Sequence, residues 1–229
     1  MYSYMKLDYV IYNGHDSIIG SVKGINNNEY IAKIPYNKHS YTTELSLMRK
    51  LNHTNIIKFL NTSKCIIGDK YYDALIYEKE ACSIKYMFNN KCYINGNVLI
   101  ESIMNVITYL IKNNIIHRNI KFSNILCKSY EDFQHFKLTD FSYAIKYKNG
   151  ENINLKHYYN KVILTAAECK CKLIKNNFIT DKYHDVYSLA LIIYKLLLSN
   201  YITITSLRDK EFDVFIDNYS YIIGNGRKI

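Results

Sequence analysis

The chain has 229 residues and a formal net charge of +10; 48% of the residues are hydrophobic and 22% are charged. These proportions are ordinary for a soluble globular protein and give no reason to expect a disordered chain. The lysines are scattered without a dense basic run, so the sequence gives no strong signal for nucleic-acid binding despite the positive charge. The abundance of Tyr, Ile, Asn and Lys is typical of AT-rich genomes, such as those of some parasites and large DNA viruses.

The cysteines and the apolar segments bear on the cellular location of the protein. The six cysteines are unevenly spaced, and the Cys169-x-Cys171 pair has no obvious metal-binding partners. The N-terminal residues lack the apolar run of a signal peptide, and the apolar stretch 189–198 is too short to span a bilayer. We therefore expect a reduced cytoplasmic protein, with the nucleus as the alternative, and no membrane partner.

Taken in chain order, the predicted elements are strands first and helices later. Short β-prone runs cover 9–12, 18–23, 29–34 and 73–78. Before the last of them, Leu45, Met48 and Leu51 recur at three-residue spacing, which predicts a helix over 42–51 that Thr42 or Thr43 caps. Two longer helices are predicted over 98–113 and 183–199. Strands followed by helices predict an α+β protein with two lobes.

The most specific segment is IIHRNIKFSNIL at 115–126. It resembles the catalytic loop of protein kinases, H-R-D-L-x-x-x-N, and the LTDFS that follows resembles the metal-binding D-F-G. Further segments resemble the family in the same order: YIAK ending at Lys33, ELSLMRKLNHTNII from Glu44, TAAE ending at Glu168, and DVYSLALIIYKLLL from Asp185. Six motifs in the right order make chance a poor explanation.

This resemblance implies a bilobal, protein-kinase-like α+β fold in one domain. The N-lobe, about residues 1–78, would be a small antiparallel sheet with one helix, and 79–82 would form the hinge. The mainly helical C-lobe would occupy 83–229 and would be shortened, because few residues follow Asp185.

The resemblance also implies ATP and Mg²⁺ as cofactors and assigns roles to individual residues. Lys33 would pair with the phosphates while Glu44 holds it, and Lys121, typical of serine/threonine kinases, would neutralise the γ-phosphoryl group. The nucleotide site would also include Gly20, Val22, Glu78 and Leu126. Mg²⁺ would be held by Asn124 and Asp140.

The resemblance further implies a buried spine between the lobes, formed by the stacked side chains of His117, Phe141 and Met48. Asp185 would anchor the catalytic loop from below.

Several positions depart from the family pattern. Asn119 stands where the family has the Asp that accepts the substrate proton, and Ser142 replaces the Gly of D-F-G. His15 and Ser17 replace glycines of the phosphate loop, and Ile31 adds bulk beside the expected adenine position. In the activation segment, Lys161 and Ala167 replace the family's Thr and Pro, and only Arg208 and Arg227 remain as partners for Glu168.

Two functions therefore compete on the sequence. The first is a pseudokinase with impaired phosphotransfer, which would act as a regulator or a decoy by binding a kinase or that kinase's substrate. The second is an active but slow serine/threonine kinase that phosphorylates proteins. A small-molecule kinase of the same fold and a charge-driven binding module are the remaining alternatives.

Overall fold

The structure is a computed structural model that describes residues 4–24, 27–128, 134–148 and 184–198, with the short strands at 153–154, 179–180 and 202–203. The sequence-predicted features at Lys161, Ala167, Glu168, the Cys169–Cys171 pair, Arg208 and Arg227 lie outside these residues. No helix in the described part of the chain is both long and apolar enough to cross a membrane.

The N-terminal part is a closed β-barrel. Its strands are β1 (Tyr4–Asn13), β2 (Ser17–Lys23), β3 (Glu29–Pro35), β4 (Phe59–Ile67) and β5 (Lys70–Glu78), in the order β1-β2-β3-β5-β4. The neighbours pair antiparallel, except that the start of β1, from Tyr4 to Lys6, pairs parallel with β4 and closes the barrel. Closure removes the exposed edges that an open sheet would leave.

The barrel has a core of its own. Its buried members are small or β-branched side chains that alternate along the strands: Val22, Ala32, Ile34, Cys65, Ala74 and Ile76. Because successive side chains of a strand point to opposite faces, Ile31 and Lys33 lie on the outer face of β3. That outer face packs against the second, larger core.

Helix α1 (Lys38–Met48) crosses this outer face. It begins at Asn37, whose side chain accepts a hydrogen bond from the backbone N–H of His39. The predicted start at Thr42 is therefore wrong, because the first turn is polar and carries no apolar period; the Thr42 hydroxyl instead donates to the His39 carbonyl. Met48 is buried in the larger core as the spacing predicted.

The rest of the described chain is mainly helical. Short strands β6 (Cys82–Ser83) and β7 (Ile94–Asn95) flank α2 (Ile84–Asn89), and α3 (Gly96–Lys112) confirms the predicted helix, with Asn95 as its cap. The remaining strands are short: β8 (Ile115–Ile116), β9 (Ile125–Cys127), β10 (Phe136–Leu138), β11 (Ile145–Lys146), β12 (Ile153–Asn154), β13 (Ile179–Thr180) and β14 (Ile202–Thr203). Helix α4 (His184–Leu198) lies between β13 and β14.

One continuous core joins the barrel to the helices. It contains Met48 of α1, Tyr77 of β5, Leu110 of α3 and Leu189 of α4. The cleft between the two parts is therefore built on shared packing and not on a flexible linker. Elements that are distant in sequence meet there with their polar side chains held by buried neighbours.

Truncation of this core should destabilise the fold strongly. We predict that Leu110→Ala, at a fully buried position of α3, lowers the free energy of unfolding by about 2–5 kcal/mol through the cavity it leaves. Lys112→Ala, on an exposed position of the same helix, should change it by no more than about 0.5 kcal/mol. Urea unfolding followed by circular dichroism measures both; equal losses would contradict the assignment of this core.

Candidate active site

Lys33 is the centre of a buried ion cluster. Its Nζ lies 2.6 Å from Glu44 Oε2 and 2.5 Å from Asp140 Oδ1, and its side chain is only 8% exposed. β3 supplies the lysine, α1 the glutamate, and the segment after β10 the aspartate. The structure thus brings together the three residues that the sequence predicted for phosphate and metal binding.

Tyr77 fixes the glutamate of this cluster. Its hydroxyl donates to Glu44 Oε1 at 2.9 Å, and its ring packs edge-on against Phe59. Sequence reasoning did not identify Tyr77. An aromatic residue near the end of a buried strand is ordinary core material, and only the fold shows that its hydroxyl reaches across to α1.

Asp140 adopts a left-handed backbone conformation, with φ 68° and ψ 72°. The turn that follows directs Phe141 into the core, where its ring meets His117 edge-on at 4.6 Å between centroids. Met48 belongs to the same core cluster. The predicted spine residues therefore lie in one buried region that spans the barrel side and the helical side.

Asp185 of α4 holds the predicted catalytic loop from below. Its two carboxylate oxygens accept hydrogen bonds from the backbone N–H groups of His117, at 2.7 Å, and Arg118, at 2.9 Å. Arg118 has a φ of 65°, a conformation that L-residues adopt only when neighbours hold it. The anchoring contact that the resemblance implied is thus present in the geometry.

The side chain of Asn119 faces the aspartate of the ion cluster. Its Nδ2 donates to Asp140 Oδ2 at 2.8 Å, and its backbone carbonyl accepts from Asn124 Nδ2 at 2.8 Å. Asn124 Nδ2 also lies 3.2 Å from the same Asp140 oxygen. Both amides therefore direct N–H groups toward Asp140.

Ser142 completes the surroundings of Asp140. Its hydroxyl donates to Asp140 Oδ1 and accepts from Lys33 Nζ at 3.1 Å. The glycine that the family has at this position could form neither bond. The sequence marked Ser142 only as a restriction on the backbone, so its bonding role was missed.

The ion cluster governs the ionisation of its members. Burial alone would lower the pKa of Lys33, but the charges of Asp140 and Glu44 outweigh burial and raise that pKa. Burial would likewise raise the pKa of Asp140, yet the ammonium of Lys33 and its hydrogen bond hold the pKa well below the usual range. Lys33 is therefore cationic and Asp140 anionic at neutral pH.

The phosphate-loop residues of β2 are placed differently from the expectation. Val22 is fully buried inside the barrel, on the face opposite Lys33, so its side chain does not line the cleft. Gly20 lies on the same inner face, where a Cβ would come within 2.8 Å of the Tyr9 carbonyl oxygen and of Leu7. Position 20 therefore requires glycine, because β1 approaches it too closely for a side chain. On the outer face of β2, Ser21 lies opposite Ile31.

The remaining predicted site residues lie around the hinge and the loop. Glu78 Oε1 accepts hydrogen bonds from Lys137 Nζ and from the backbone N–H of Lys58, so its side chain is held by protein donors just before the segment predicted as the hinge. Leu126 packs half-buried against the larger core, as Ile31 does from the barrel side. Lys121 is partly exposed and takes part in none of the ion pairs found among the described residues.

The turn between β1 and β2 is tied to the segment that follows Asp140. The Tyr143 hydroxyl donates to Asp16 Oδ2 at 2.6 Å, and the Asp16 carbonyl accepts from the backbone N–H of Tyr36. A cavity of about 1170 Å³ opens beside this contact, with His15 and Lys38 among its lining residues. The two bonds hold the turn between β1 and β2 against the segment that follows Asp140.

The donor set around Asp140 does not suit Mg²⁺ in this arrangement. Mg²⁺ requires oxygen ligands at about 2.0–2.1 Å in near-octahedral geometry. Both Asp140 oxygens already accept N–H or O–H groups, and Asn124 turns its nitrogen toward them. In the described part of the chain, no group of three or more His, Cys, Asp or Glu side chains could hold a metal ion.

Comparison with known proteins agrees with this geometry. Residues 9–225 match the family model described as protein kinase domain. Calcium-dependent protein kinase 4 of Plasmodium falciparum (isolate 3D7) is 28% identical over 184 residues, which are 74% of this chain and 32% of that protein. The inhibitor of nuclear factor kappa-B kinase subunit beta of Bos taurus is 28% identical over 125 residues, which are 51% of this chain and 16% of that protein. The chain therefore spans less than half the length of these relatives.

The anchoring role of Asp185 can be tested by removing one acceptor oxygen. We predict that Asp185→Asn lowers the free energy of unfolding by about 1–3 kcal/mol, because one buried backbone N–H then loses its partner. Asp69→Asn, in the exposed turn between β4 and β5, is the matched control and should leave stability unchanged. Thermal unfolding of both variants measures the difference, and an unaffected Asp185→Asn protein would contradict the anchoring role.

Proposed function

Because the chain belongs to the protein kinase domain family, we propose that it is a pseudokinase that keeps a nucleotide site at Lys33. In this proposal it transfers phosphate poorly and acts through protein contacts on a kinase or on that kinase's substrate. The proposal extends the family assignment to this chain's own residues. Each of its parts is supported by a separate observation.

The observation that carries the proposal is the contact of Asn119 with Asp140. In the family, the Asp at this position accepts the proton of the substrate hydroxyl. The neutral amide of Asn119 cannot accept a proton, and its Nδ2 is engaged by Asp140 Oδ2 at 2.8 Å. Loss of a general base lowers a rate by about 10²–10⁴-fold.

The contacts of Lys33 support a retained nucleotide site. An ammonium group has three donors. Two of those of Lys33 go to the carboxylates of Glu44 and Asp140, and the third goes to the neutral hydroxyl of Ser142 at 3.1 Å. A phosphate oxygen would be the stronger acceptor for this third donor because it carries charge. The cluster can therefore take a nucleotide phosphate without breaking either ion pair.

The surface of β1 supports action through protein contacts. Tyr9, Val10, Ile11 and Tyr12 are each about half exposed, with relative accessibilities of 49–53%. Because successive side chains of a strand point to opposite faces, these four leave apolar groups exposed on both sides of β1, and exposed apolar groups are typical of interaction surfaces. A protein partner would cover this strand more favourably than water does.

The second candidate is an active but slow serine/threonine protein kinase. The observation in its favour is the assembled triad of Lys33, Glu44 and Asp140. Kinases turn over at roughly 1–100 s⁻¹, so the loss of a base would leave about 10⁻⁴ to 1 s⁻¹. Such a rate is measurable, and one experiment can separate the two candidates.

We predict that ATP at about 100 times its dissociation constant raises the unfolding temperature by roughly 5–10 °C. Lys33→Ala should abolish this shift, because it removes the phosphate-binding ammonium. Lys23→Ala, on the neighbouring strand β2 with a side chain that is 54% exposed, should retain it. Circular dichroism of each variant without ligand verifies that the fold is intact.

Radiolabelled phosphate transfer to a generic protein substrate then decides between the candidates. The pseudokinase proposal predicts transfer at background for the wild type and a rise with Asn119→Asp in excess Mg²⁺. Transfer by the wild type that disappears with Lys33→Ala would instead establish the slow kinase. Absence of both an ATP shift and transfer in every variant would contradict the nucleotide site.

A further inference from the structure

Two departures from the family pattern act on the same carboxylate. Asn119 replaces an aspartate and Ser142 replaces a glycine, and neither family residue can donate a side-chain hydrogen bond at neutral pH. In this chain Asn119 Nδ2 donates to Asp140 Oδ2, and the Ser142 hydroxyl donates to Asp140 Oδ1. The two substitutions therefore add one donor to each oxygen of Asp140.

The orientation of the amides follows from their partners. If the Asn119 amide were reversed, its oxygen would face Asp140 Oδ2, and two acceptors would lie 2.8 Å apart. A reversed Asn124 would place its oxygen against both the Asn119 carbonyl and Asp140 Oδ2. Only the arrangement with both nitrogens toward these acceptors satisfies the network.

The carboxylate of Asp140 is saturated in this arrangement. An ionised carboxylate offers about four lone-pair sites. Lys33 and Ser142 occupy Oδ1, while Asn119 and Asn124 occupy Oδ2. A divalent cation could bind Asp140 only if these donors left, and the displaced amide and hydroxyl groups would then need new partners in a mostly buried site.

An aspartate at position 119 would replace one of the donors to Asp140 with a second negative charge. Its carboxylate would lie about where the Asn119 amide now meets Asp140, at 2.8 Å. Two carboxylates at that distance repel each other unless a proton or a cation lies between them. A carboxylate at position 119 of this arrangement therefore needs a proton or a cation beside it, whereas the amide of this chain does not.

We propose that Asn119 and Ser142 take the place of the divalent cation, so that this chain closes its cleft around Asp140 without Mg²⁺ and binds nucleotide without requiring it. The first half of this proposal concerns the protein alone. The second half rests on the proposed nucleotide site. The wild type should therefore be indifferent to divalent cations, and restoring the family residue should create a dependence on them.

The test compares divalent-cation dependence in the wild type, Asn119→Asp and Asn119→Leu. In EDTA, both variants should unfold roughly 4–8 °C below the wild type, because each loses the bond to Asp140. Mn²⁺ alone should recover Asn119→Asp, which offers a second carboxylate, but not Asn119→Leu. Mn²⁺ should leave the unfolding temperature of the wild type unchanged. It should also leave unchanged that of the control variant Asn52→Asp, which adds the same charge at an exposed position.

The nucleotide arm uses ATP in EDTA and in Mg²⁺. The wild-type dissociation constant should differ by less than about twofold between the two conditions, and that of Asn119→Asp by at least about tenfold. Stabilisation of the wild type by Mn²⁺ alone, or no recovery of Asn119→Asp by Mn²⁺, would overturn the proposal. A wild type that binds no ATP in either condition would overturn the nucleotide site and the second half of this proposal, while the Mn²⁺ arm still decides the first half.

Discussion

Charge burial at one point constrains the whole structure. Lys33, Glu44 and Asp140 come from three distant parts of the chain and are held at the junction of the barrel and the helices. Removing a charged group from water is costly unless a partner compensates, and removing one partner of a buried pair costs about 3–5 kcal/mol. The strand, the helix and the Asp140 turn are therefore bound to a single relative arrangement.

The same cluster shows how the charged side chains of the cleft are compensated by the protein's own groups. In the family, the Asp at the position of Asp140 is compensated by the Mg²⁺ that it holds. In this chain, Asn119, Ser142 and Asn124 compensate it with neutral donors, and Tyr77 does the same from the other side for Glu44. The residues that resemble catalytic machinery then stabilise the cleft whether or not a ligand is present.

Much of this could be predicted from sequence, for physical reasons. The motifs around Lys33, Glu44 and Asp140 located the ion cluster, because the family's phosphoryl transfer requires those three groups together. Strand alternation placed Ile31 on the face of Lys33, and the structure has it there. Val22 could not be placed in the same way, because the register of β2 against β3 depends on the length of the intervening turn. Val22 pairs with Tyr30, so its side chain lies on the inner face together with that of Ala32. A register shift of one residue would have moved the Val22 side chain to the outer face.

The central claim is that protein donors, and not a cation, surround Asp140, and diffraction tests it most directly. Crystals grown with ATP and Mn²⁺ would be measured at the manganese absorption edge. We predict no anomalous peak near Asp140, with the Asn119 amide nitrogen still about 2.8 Å from its carboxylate. An anomalous peak within about 2.0–2.6 Å of an Asp140 oxygen, with Asn119 turned away, would contradict it.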